Sequence, residues 1–196
     1  MKILTIKFGG HDDNFCYYDG SQVYYYKSER LKHNKHHSYN SLHAMLNDIN
    51  LVWGIDYRKV DVIGFVGNPE FFNRRPSSHN CFPDEIYDDL FPNVDVYRVN
   101  HHYAHALSVN FFSDINPDVS FVIDGEGQRR TWTVYKDDNI VEEGFSKIHG
   151  SIGNYMSTIA GRIGVSANHS ADLAGKVMGI QSYGNINETY AKELLK

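Results

Sequence analysis

The sequence has few of the features that mark secreted or membrane-spanning proteins. Its two cysteines, Cys16 and Cys81, stand far apart and form no C-x-x-C pair, which favours free thiols in a reducing compartment. No apolar run approaches the ~20 residues that span a bilayer. The amino-terminal segment 1–6 has a strand pattern and is too short for a signal peptide. We therefore expect a cytoplasmic protein without a membrane partner.

Positive charge is also scarce. The chain has 19 lysines and arginines against 24 aspartates and glutamates, and its formal net charge is −5. No run of basic residues is long enough for a general nucleic-acid surface. Hydrophobic residues make up 41% of the 196 positions, which allows a real core in one domain or two small lobes.

Histidine, by contrast, is concentrated at one place. The stretch Asn100–Ala106 reads NHHYAHA, with three histidines within five positions. If residues 101–112 form a helix, His101 and His105 lie on one face and can bind one metal ion together. His102 would point elsewhere and do a different job. The alternative is a helix start at which the histidines only cap or pack.

The segment that follows raises the odds of a metal site. Residues 119–123 (VSFVI) have the pattern of a buried strand that ends in Asp124-Gly125-Glu126-Gly127. A carboxylate at the carboxyl end of a buried strand, followed by glycines, commonly meets a metal or a phosphate. Two histidines and an aspartate form a mixed nitrogen–oxygen set that suits iron, manganese or zinc. From the residues alone, a metal site and a packing role both stay open.

The order of elements predicts the fold class. Strand patterns over 2–8, 15–18 and 22–28 form a three-stranded antiparallel meander, with a hairpin signal at Asp19-Gly20. A helical period over 40–52 and a buried strand over 60–66 follow. This is the opening of a ribonuclease H-like α/β fold of the actin and sugar-kinase superfamily, with a mixed sheet and flanking helices.

Two loops beside this predicted sheet carry polar groups. The first turn, residues 9–14 (GGHDDN), is either ordinary turn chemistry or a place where backbone amides approach a phosphate beside His11. Residues 28–37 are basic and rich in imidazole. They form either a solvated loop or one that faces an anion.

The rest of the chain predicts a second lobe. Residues 67–93 look irregular, with four prolines, and suggest a lid or an insertion. A strand over 95–99 and the histidine helix come next. Two strands over 128–135 and 140–145 then repeat the strand–turn–strand pattern of the amino terminus. Helices are expected over 151–163, with Ser151 as cap, and over 172–182, before a polar helix or tail at 187–196.

Five stretches resemble, in order, the motifs of the ATP-dependent O-carbamoyltransferases of nodulation-factor and antibiotic biosynthesis. His101–Ala106 matches H-H-x-A-H-A in full. The other four are similar to G-x-H-D, E-E-R-x-x-x-x-K-H, D-G-x-G and E-G-K-V-M-G-L-A-P-Y-G; they are Gly9–Asp12, Ser28–His36, Asp124–Gly127 and Ala174–Gly184. The amino-terminal domain of this family is similar to the universal tRNA threonylcarbamoyl-transferase enzyme.

The chain departs from the family pattern at several positions. The first turn has an extra glycine, and Gln128 replaces the glutamate that follows D-G-x-G. In the last motif Ala174 replaces the acid, and Gln181-Ser182 replaces Ala-Pro.

The resemblance implies a carbamoyltransferase. In such enzymes carbamoyl phosphate is cleaved to carbamate, which attacks ATP to give carbamoyl-adenylate and pyrophosphate. A hydroxyl of an acceptor, which the sequence does not identify, then takes the carbamoyl group.

The resemblance also implies site residues. The ligands of a divalent metal, Fe²⁺ first and Mn²⁺ or Zn²⁺ as alternatives, are His101, His105 and Asp124. The residues that handle carbamoyl phosphate are His11, Lys35 and His36. Four positions near the nucleotide are Gly125, Gly127, Lys176 and Gly179.

The family proteins are more than twice this length and take a further aspartate ligand from a later segment. We therefore expect residues 1–196 to form the first lobe and the start of the second, without the second half and the carboxyl-terminal domain. An alternative is a nucleotide- or metal-binding accessory subunit without turnover, which completes a second polypeptide carrying the missing half. A sugar-kinase-like phosphotransferase is weaker, because the histidine pair has no role in that chemistry.

Overall fold

The described residues form two β-sheets. The first has six strands, β1 Ile3–Lys7, β2 Asn14–Tyr18, β3 Val23–Lys27, β4 Val62–Val66, β5 Cys81–Pro83 and β6 Asp95–Val99. They lie side by side in the order β3–β2–β1–β4–β6–β5. These come from a computed structural model that describes residues 1–9, 11–66, 81–83, 89–115, 117–146, 150–169, 171–185, 187–189 and 192. The strands are short, and the sheet draws its support from the helices that cover it.

The pairing of the strands identifies the fold. β1 lies antiparallel to β2 and parallel to β4, and β4 lies parallel to β6. A local meander therefore continues, through a helical crossover, into parallel strands on the other side of β1. This mixed sheet with flanking helices has a ribonuclease H-like strand order, and the predicted α/β fold class is confirmed.

Helix α2, Leu42–Leu51, covers the first sheet. The hydroxyl of Ser41 accepts a hydrogen bond from the Ala44 N–H at 3.2 Å and caps the helix. Met45, Leu46 and Ile49 recur at helical spacing and are fully buried against Leu4, Ile6 and Ile63 of the sheet. The predicted periodicity holds except at Val52, which follows the helix and is exposed.

The segment 28–37, predicted as a loop, is helical in its first half. Ser28–Lys32 forms α1, directly after β3, and His33 ends it with a positive φ of 49°. Ser28 is buried, its N–H donates to the Asp13 carbonyl at 3.0 Å, and its hydroxyl donates to the His37 carbonyl at 3.2 Å. The basic residues predict either a solvated loop or one that faces an anion, and Ser28 ties the segment back to the turn of residues 9–14.

The second sheet repeats the amino-terminal meander. Its antiparallel strands are β7 Val119–Gly127, β8 Arg130–Lys136 and β9 Asn139–Phe145. Helix α3, His101–Phe112, packs on it, and Ala106, Val122 and Tyr135 form a small core between them. Helices α4, Ile152–Arg162, and α5, Ala171–Ile180, follow. Short 3-10 helices lie at Tyr57–Lys59 and Gln181–Tyr183. The predicted hairpin repeat and both later helices are confirmed.

Strand β7 differs from its prediction in two ways. It does not end at Asp124 but continues to Gly127, with a break in register between Ile123 and Gly127. It is also not buried on both faces: Val119, Phe121 and Ile123 are 52%, 60% and 51% exposed. The reason is that α3 packs on the face that carries Val122, while alternate residues of a strand point to the opposite face.

Some predictions fall outside the described residues. The lid or insertion lies mostly there, with β5 as one described piece, and so does most of the tail after residue 186. Among the described residues, no helix has the length and apolar character that crossing a bilayer requires. Cys16 is a free thiol.

Candidate functional site

The amino-terminal end of the histidine helix α3 is held by two side chains. Asn100 is buried, and its side-chain oxygen accepts hydrogen bonds from the N–H groups of His102 at 2.9 Å and Tyr103 at 3.3 Å. The side-chain oxygen of Gln128 accepts from the N–H of His101 at 3.0 Å. Three backbone N–H groups at the start of α3, which have no partner within the helix, are thereby hydrogen-bonded. The directions of the histidine side chains are set by a fixed helix start.

His101, His105 and Asp124 form a compact donor set. The Nε2 atom of His101 lies 2.7 Å from the Asp124 carboxylate and 3.1 Å from Nε2 of His105. Nε2 of His105 lies 3.9 Å from the same carboxylate. The two histidines lie one turn apart on α3, as their spacing predicted, and the aspartate comes from β7. One ligand atom from each residue lies within 4.8 Å of the other two.

The charge state of this set suits a cation. The hydrogen bond with His101 lowers the pKa of Asp124 to about 2, and the Gly125 N–H, 2.6 Å away, adds to the effect. Partial burial, together with the neighbouring His101, lowers the pKa of His105. At neutral pH the aspartate is therefore ionised and His105 is neutral with a free lone pair.

The donor set fits a divalent transition metal. Two imidazole nitrogens and a carboxylate oxygen are ligands that iron, manganese and zinc accept. Three protein ligands leave coordination positions for another group, as catalytic rather than structural sites do. The assignment of His101, His105 and Asp124 as metal ligands stays a prediction.

His102 faces away from this set and does a structural job. It is fully buried, and its Nδ1 shares a hydrogen bond of 2.8 Å with the Thr133 hydroxyl of β8. Burial, with a smaller effect of His101, lowers the pKa of His102 to about 4. It is therefore neutral at physiological pH and ties α3 to the second sheet.

The two glycines after Asp124 have different surroundings. A Cβ atom at Gly127 would lie 2.2 Å from Cδ2 of His101 and 2.8 Å from Cδ2 of His102, whereas a Cβ at Gly125 would meet nothing within 4 Å. The carbonyl of Gly125 accepts a hydrogen bond from the hydroxyl of Ser151, which also caps α4. Gly127 therefore makes room for the histidine rings, while Gly125 anchors α4 to β7.

A second cluster forms around His36. Its Nδ1 lies 3.1 Å from both carboxylate oxygens of Asp12, and Nδ1 of His11 lies 2.6 Å from the same carboxylate. The other ring nitrogen of His36 lies 3.0 Å from Asp172 of α5, and the Lys35 ammonium pairs with the same aspartate. The three residues predicted to handle carbamoyl phosphate, His11, Lys35 and His36, therefore lie together.

Opposite charges hold this cluster. Hydrogen bonds to Asp172 and then to Asp12 raise the pKa of His36. Lys35 and then His36 lower the pKa of Asp172 to about 2. Burial alone would raise the pKa of Asp12, but its hydrogen bonds with His11 and His36 bring it below the usual value.

Lys176 and Gly179, predicted to lie near the nucleotide, are both exposed on α5. The Lys176 ammonium donates to the carbonyl of Ser166 at 2.6 Å, and a Cβ at Gly179 would meet nothing within 4 Å. Helix α5 meets the predicted donor-site residues through Asp172. These two positions stay predictions.

Three residues of the second cluster were not predicted to act there: Asp12, Asp172 and His169. The ring of His169 stacks on that of His36, with centroids 4.4 Å apart. The local signal was present, since His169 and Asp172 stand three apart at the start of a predicted helix. The contact between Asp172 and His36 joins residues 136 positions apart in the chain, so no local sequence pattern predicts it.

Comparisons with known proteins give a distant likeness of fold. No family model and no curated protein matches the chain. Two solved structures from Pseudomonas aeruginosa, an uncharacterized protein with similarity to peptidase YeaZ and YeaZ itself, match 73% and 74% of it at 12% and 13% identity, with a TM-score of 0.41 for each. A propionate kinase from Francisella tularensis matches 88% of the chain at 11% identity, with a TM-score of 0.40.

The chain spans 63% and 66% of the length of the two Pseudomonas aeruginosa proteins, less than two thirds in each case. It spans 67% of the propionate kinase. The fold is defined by the strand order of the first sheet.

Proposed function

We propose that this chain is the amino-terminal portion of an ATP-dependent O-carbamoyltransferase. The observation that carries the proposal is the donor set of His101, His105 and Asp124, on a fixed helix start beside a glycine that leaves room for its rings. The ordered motif resemblance adds to it. The acceptor is a hydroxyl compound whose identity the chain does not specify.

In this proposal His101, His105 and Asp124 would hold the divalent ion, Fe²⁺ first and Mn²⁺ or Zn²⁺ as alternatives. A bound divalent ion supplies positive charge that offsets the charge on phosphate oxygens. Asn100 and Gln128 hold the helix start, so that the ligand directions are fixed before substrates arrive. Gly125, Gly127, Lys176 and Gly179 are the positions proposed to lie near ATP.

Carbamoyl phosphate is proposed to bind at His11, Lys35 and His36. Lys35 is largely exposed, and its ammonium and the imidazole of His36 form the cationic side of the cluster. Both point at Asp172, which fixes their positions relative to each other. Charge-assisted hydrogen bonds from such groups are the strong ones for a phosphate. His11 would orient the donor from the first turn.

A further polypeptide segment is proposed to complete the second lobe, either in the same chain or in a partner. The internal repeat supports this. In the first sheet β1 pairs with the parallel strand β4, whereas β7, its counterpart, has no parallel partner among the described strands. The exposed apolar side chains of β7 lie on the same strand. A segment that supplies a parallel strand beside β7, together with a crossover helix over this face, would cover them.

The alternative function is a non-catalytic accessory subunit that binds nucleotide or metal and serves a partner. The exposure of His105 favours it, since more than half of that side chain is open to solvent. So does the position of Gln128, which stands where the family has a glutamate and here serves as a helix cap.

The first test is metal content. The full chain is stripped with a chelator, reloaded anaerobically with Fe²⁺ and analysed for bound metal. His101→Ala and His105→Ala should each lose one equivalent relative to wild type, because each removes a ligand. His43→Ala, which removes an exposed histidine on α2, is the control and should keep wild-type content. Equal content in wild type and His101→Ala would contradict the assignment.

The second test is carbamoyl-phosphate-dependent release of pyrophosphate from ATP. We expect no release by the chain alone and release when a second-half polypeptide is added. Holding carbamate and the α-phosphate in line can supply ~7–11 kcal/mol of the barrier, and a cleft open to water cannot do this. Full activity of the chain alone would contradict the proposal that a further polypeptide segment is needed to complete the site. Activity of the partner alone, unchanged on mixing, would favour the accessory role.

A further inference from the structure

The second cluster has the same donor chemistry as the first. His11, Asp12 and His36 each present one ligand atom, and the three atoms lie within 4.8 Å of one another. The set again contains two imidazole nitrogens and one carboxylate oxygen. Ligand atoms ~2.0–2.1 Å from a tetrahedral zinc ion lie about 3.3 Å apart. The observed separations of 2.6 Å and 3.1 Å need only a small outward movement of side chains to reach that value.

A buried scaffold holds the two segments that carry these ligands. Asp13 is fully buried, and its carboxylate accepts hydrogen bonds from the N–H groups of Gly9 and Tyr39, both at 2.7 Å. Its own N–H donates to the His37 carbonyl at 3.1 Å. One buried carboxylate therefore clamps the first turn to the segment after α1. The neighbours Asp12 and His36 are positioned by this clamp.

The backbone at both of those neighbours is unusual. Asp12 has a φ of 57° and His36 a φ of 58°. Residues other than glycine adopt this left-handed region uncommonly, and such conformations persist where the surrounding structure holds them. Here they direct an aspartate and a histidine towards each other.

Asp172 supplies the partner that metal-binding histidines usually have. Nδ1 of His36 faces Asp12, while its Nε2 lies 3.0 Å from Asp172. A carboxylate that accepts from one ring nitrogen leaves the other free to bind a metal and fixes the ring orientation. The stacked ring of His169 holds the same imidazole from its face. This is the arrangement of a ligand with its supporting groups.

We propose that His11, Asp12 and His36 bind a second divalent cation, with Zn²⁺ the best match to the donor set, and that Asp172 orients His36. Binding displaces any proton shared between His36 and Asp12. The site does not depend on the proposed carbamoyl chemistry. With the ion bound, both ring nitrogens of His36 are engaged, so the ion and the Lys35 ammonium, rather than an N–H of His36, would contact the oxygens of a phosphate donor.

The proposal is tested by the stoichiometry of Zn²⁺ binding to the full, metal-stripped chain, measured by equilibrium dialysis and elemental analysis. Wild type should bind two equivalents, His36→Ala one, His101→Ala one and the double variant none. His33→Ala, which removes an exposed histidine three residues before His36, is the matched control and should bind two. If the first metal centre fails, wild type and His101→Ala each bind one equivalent and His36→Ala none, so failure of one site is distinguishable from failure of the other.

Asp172→Asn provides a second readout. It keeps all three ligands but weakens the acceptor for His36, so two equivalents should still bind at saturating Zn²⁺, with one affinity reduced ~10–100-fold. His11→Ala, on an exposed side chain, replaces His36→Ala if the latter fails to fold by circular dichroism. Equal Zn²⁺ content in wild type, His36→Ala and His11→Ala would overturn the proposal.

Discussion

A methyl group at Gly127 would collide with two histidine rings of α3, because a Cβ there would lie 2.2 Å from the ring of His101. We therefore expect Gly127→Ala to weaken metal binding at the His101 centre at least tenfold. Overpacking of this kind should also lower the free energy of unfolding by ~1–3 kcal/mol. Metal titration and urea denaturation measure the two effects.

Gly125→Ala is the control for this prediction, since a Cβ there would meet nothing within 4 Å. It should keep wild-type metal affinity and stability. Equal metal affinities of the Gly125→Ala and Gly127→Ala proteins would show that the ring positions do not depend on this close approach.

At the scale of residues, the sequence predicted what local geometry determines. His101 and His105 meet because any helix brings positions four apart to one face. Their approach to Asp124 also followed from the order of helix and strand. The meeting of His36 with Asp12 and Asp172 did not, because it joins three segments of the chain through side-chain hydrogen bonds. Gln128 appeared only as a departure from a motif, because its role as a helix cap depends on a hydrogen bond to a residue 27 positions away.

At the scale of elements, the β2–β3 hairpin is stabilised by one exposed carboxylate. Asp19 accepts hydrogen bonds from the N–H groups of Gln22 and Ser21, both at 2.8 Å, and these lower its pKa from 3.8 to about 2. Because the folded-state pKa is depressed, this stabilisation is complete above pH 3.8 and is lost as the pH falls through 2.

The wild type should therefore be more stable than Asp19→Asn at pH 7, and the difference should shrink between pH 4 and 2. Urea denaturation of both proteins across this range, followed by circular dichroism, measures it. A difference that is constant with pH would show that the charge of Asp19 adds nothing to the turn.

Elements with a strong internal pattern were predicted well. The apolar residues of α2 recur at helical spacing and mark its buried face. Helix α3 begins directly after Asn100, which caps it. Helix α1 was missed, because its five residues form after a strand and carry no apolar period. The prediction that β7 is buried was wrong for a different reason. The apolar residues of a strand indicate which side chains could be buried, but they do not show whether another element covers them.

At the scale of the whole molecule, the two sheets are supported unequally. Among the residues that the structure describes, fifteen buried hydrophobic residues form the core of the first sheet, whereas three form that of the second. We expect Phe121→Lys, on the exposed face of β7, to lower the stability of the chain by no more than ~1.5 kcal/mol, which is the size of the edge contact that its ring makes with Trp132 at 6.1 Å between centroids. The same change should reduce binding of a second-half polypeptide, measured by calorimetry, because it places a charge in the face to be covered.

Tyr25→Lys is the matched control. It replaces an exposed aromatic residue on β3, at the edge of the first sheet, and should leave partner binding unchanged. If both variants bind the second-half polypeptide as wild type does, the β7 face is not the contact surface.

The central position of β1 has a consequence for synthesis of the chain. β1 is made before the partner on its second side, β4, which follows at a sequence separation of 59, the same separation as between Lys2 and its partner Asp61. At a translation rate of ~5–20 residues per second, one edge of β1 waits about 3–12 s on the ribosome for that partner. An apolar strand with an open edge invites pairing with other chains. The newly made meander is thus the stage at which a chaperone would matter most to this protein.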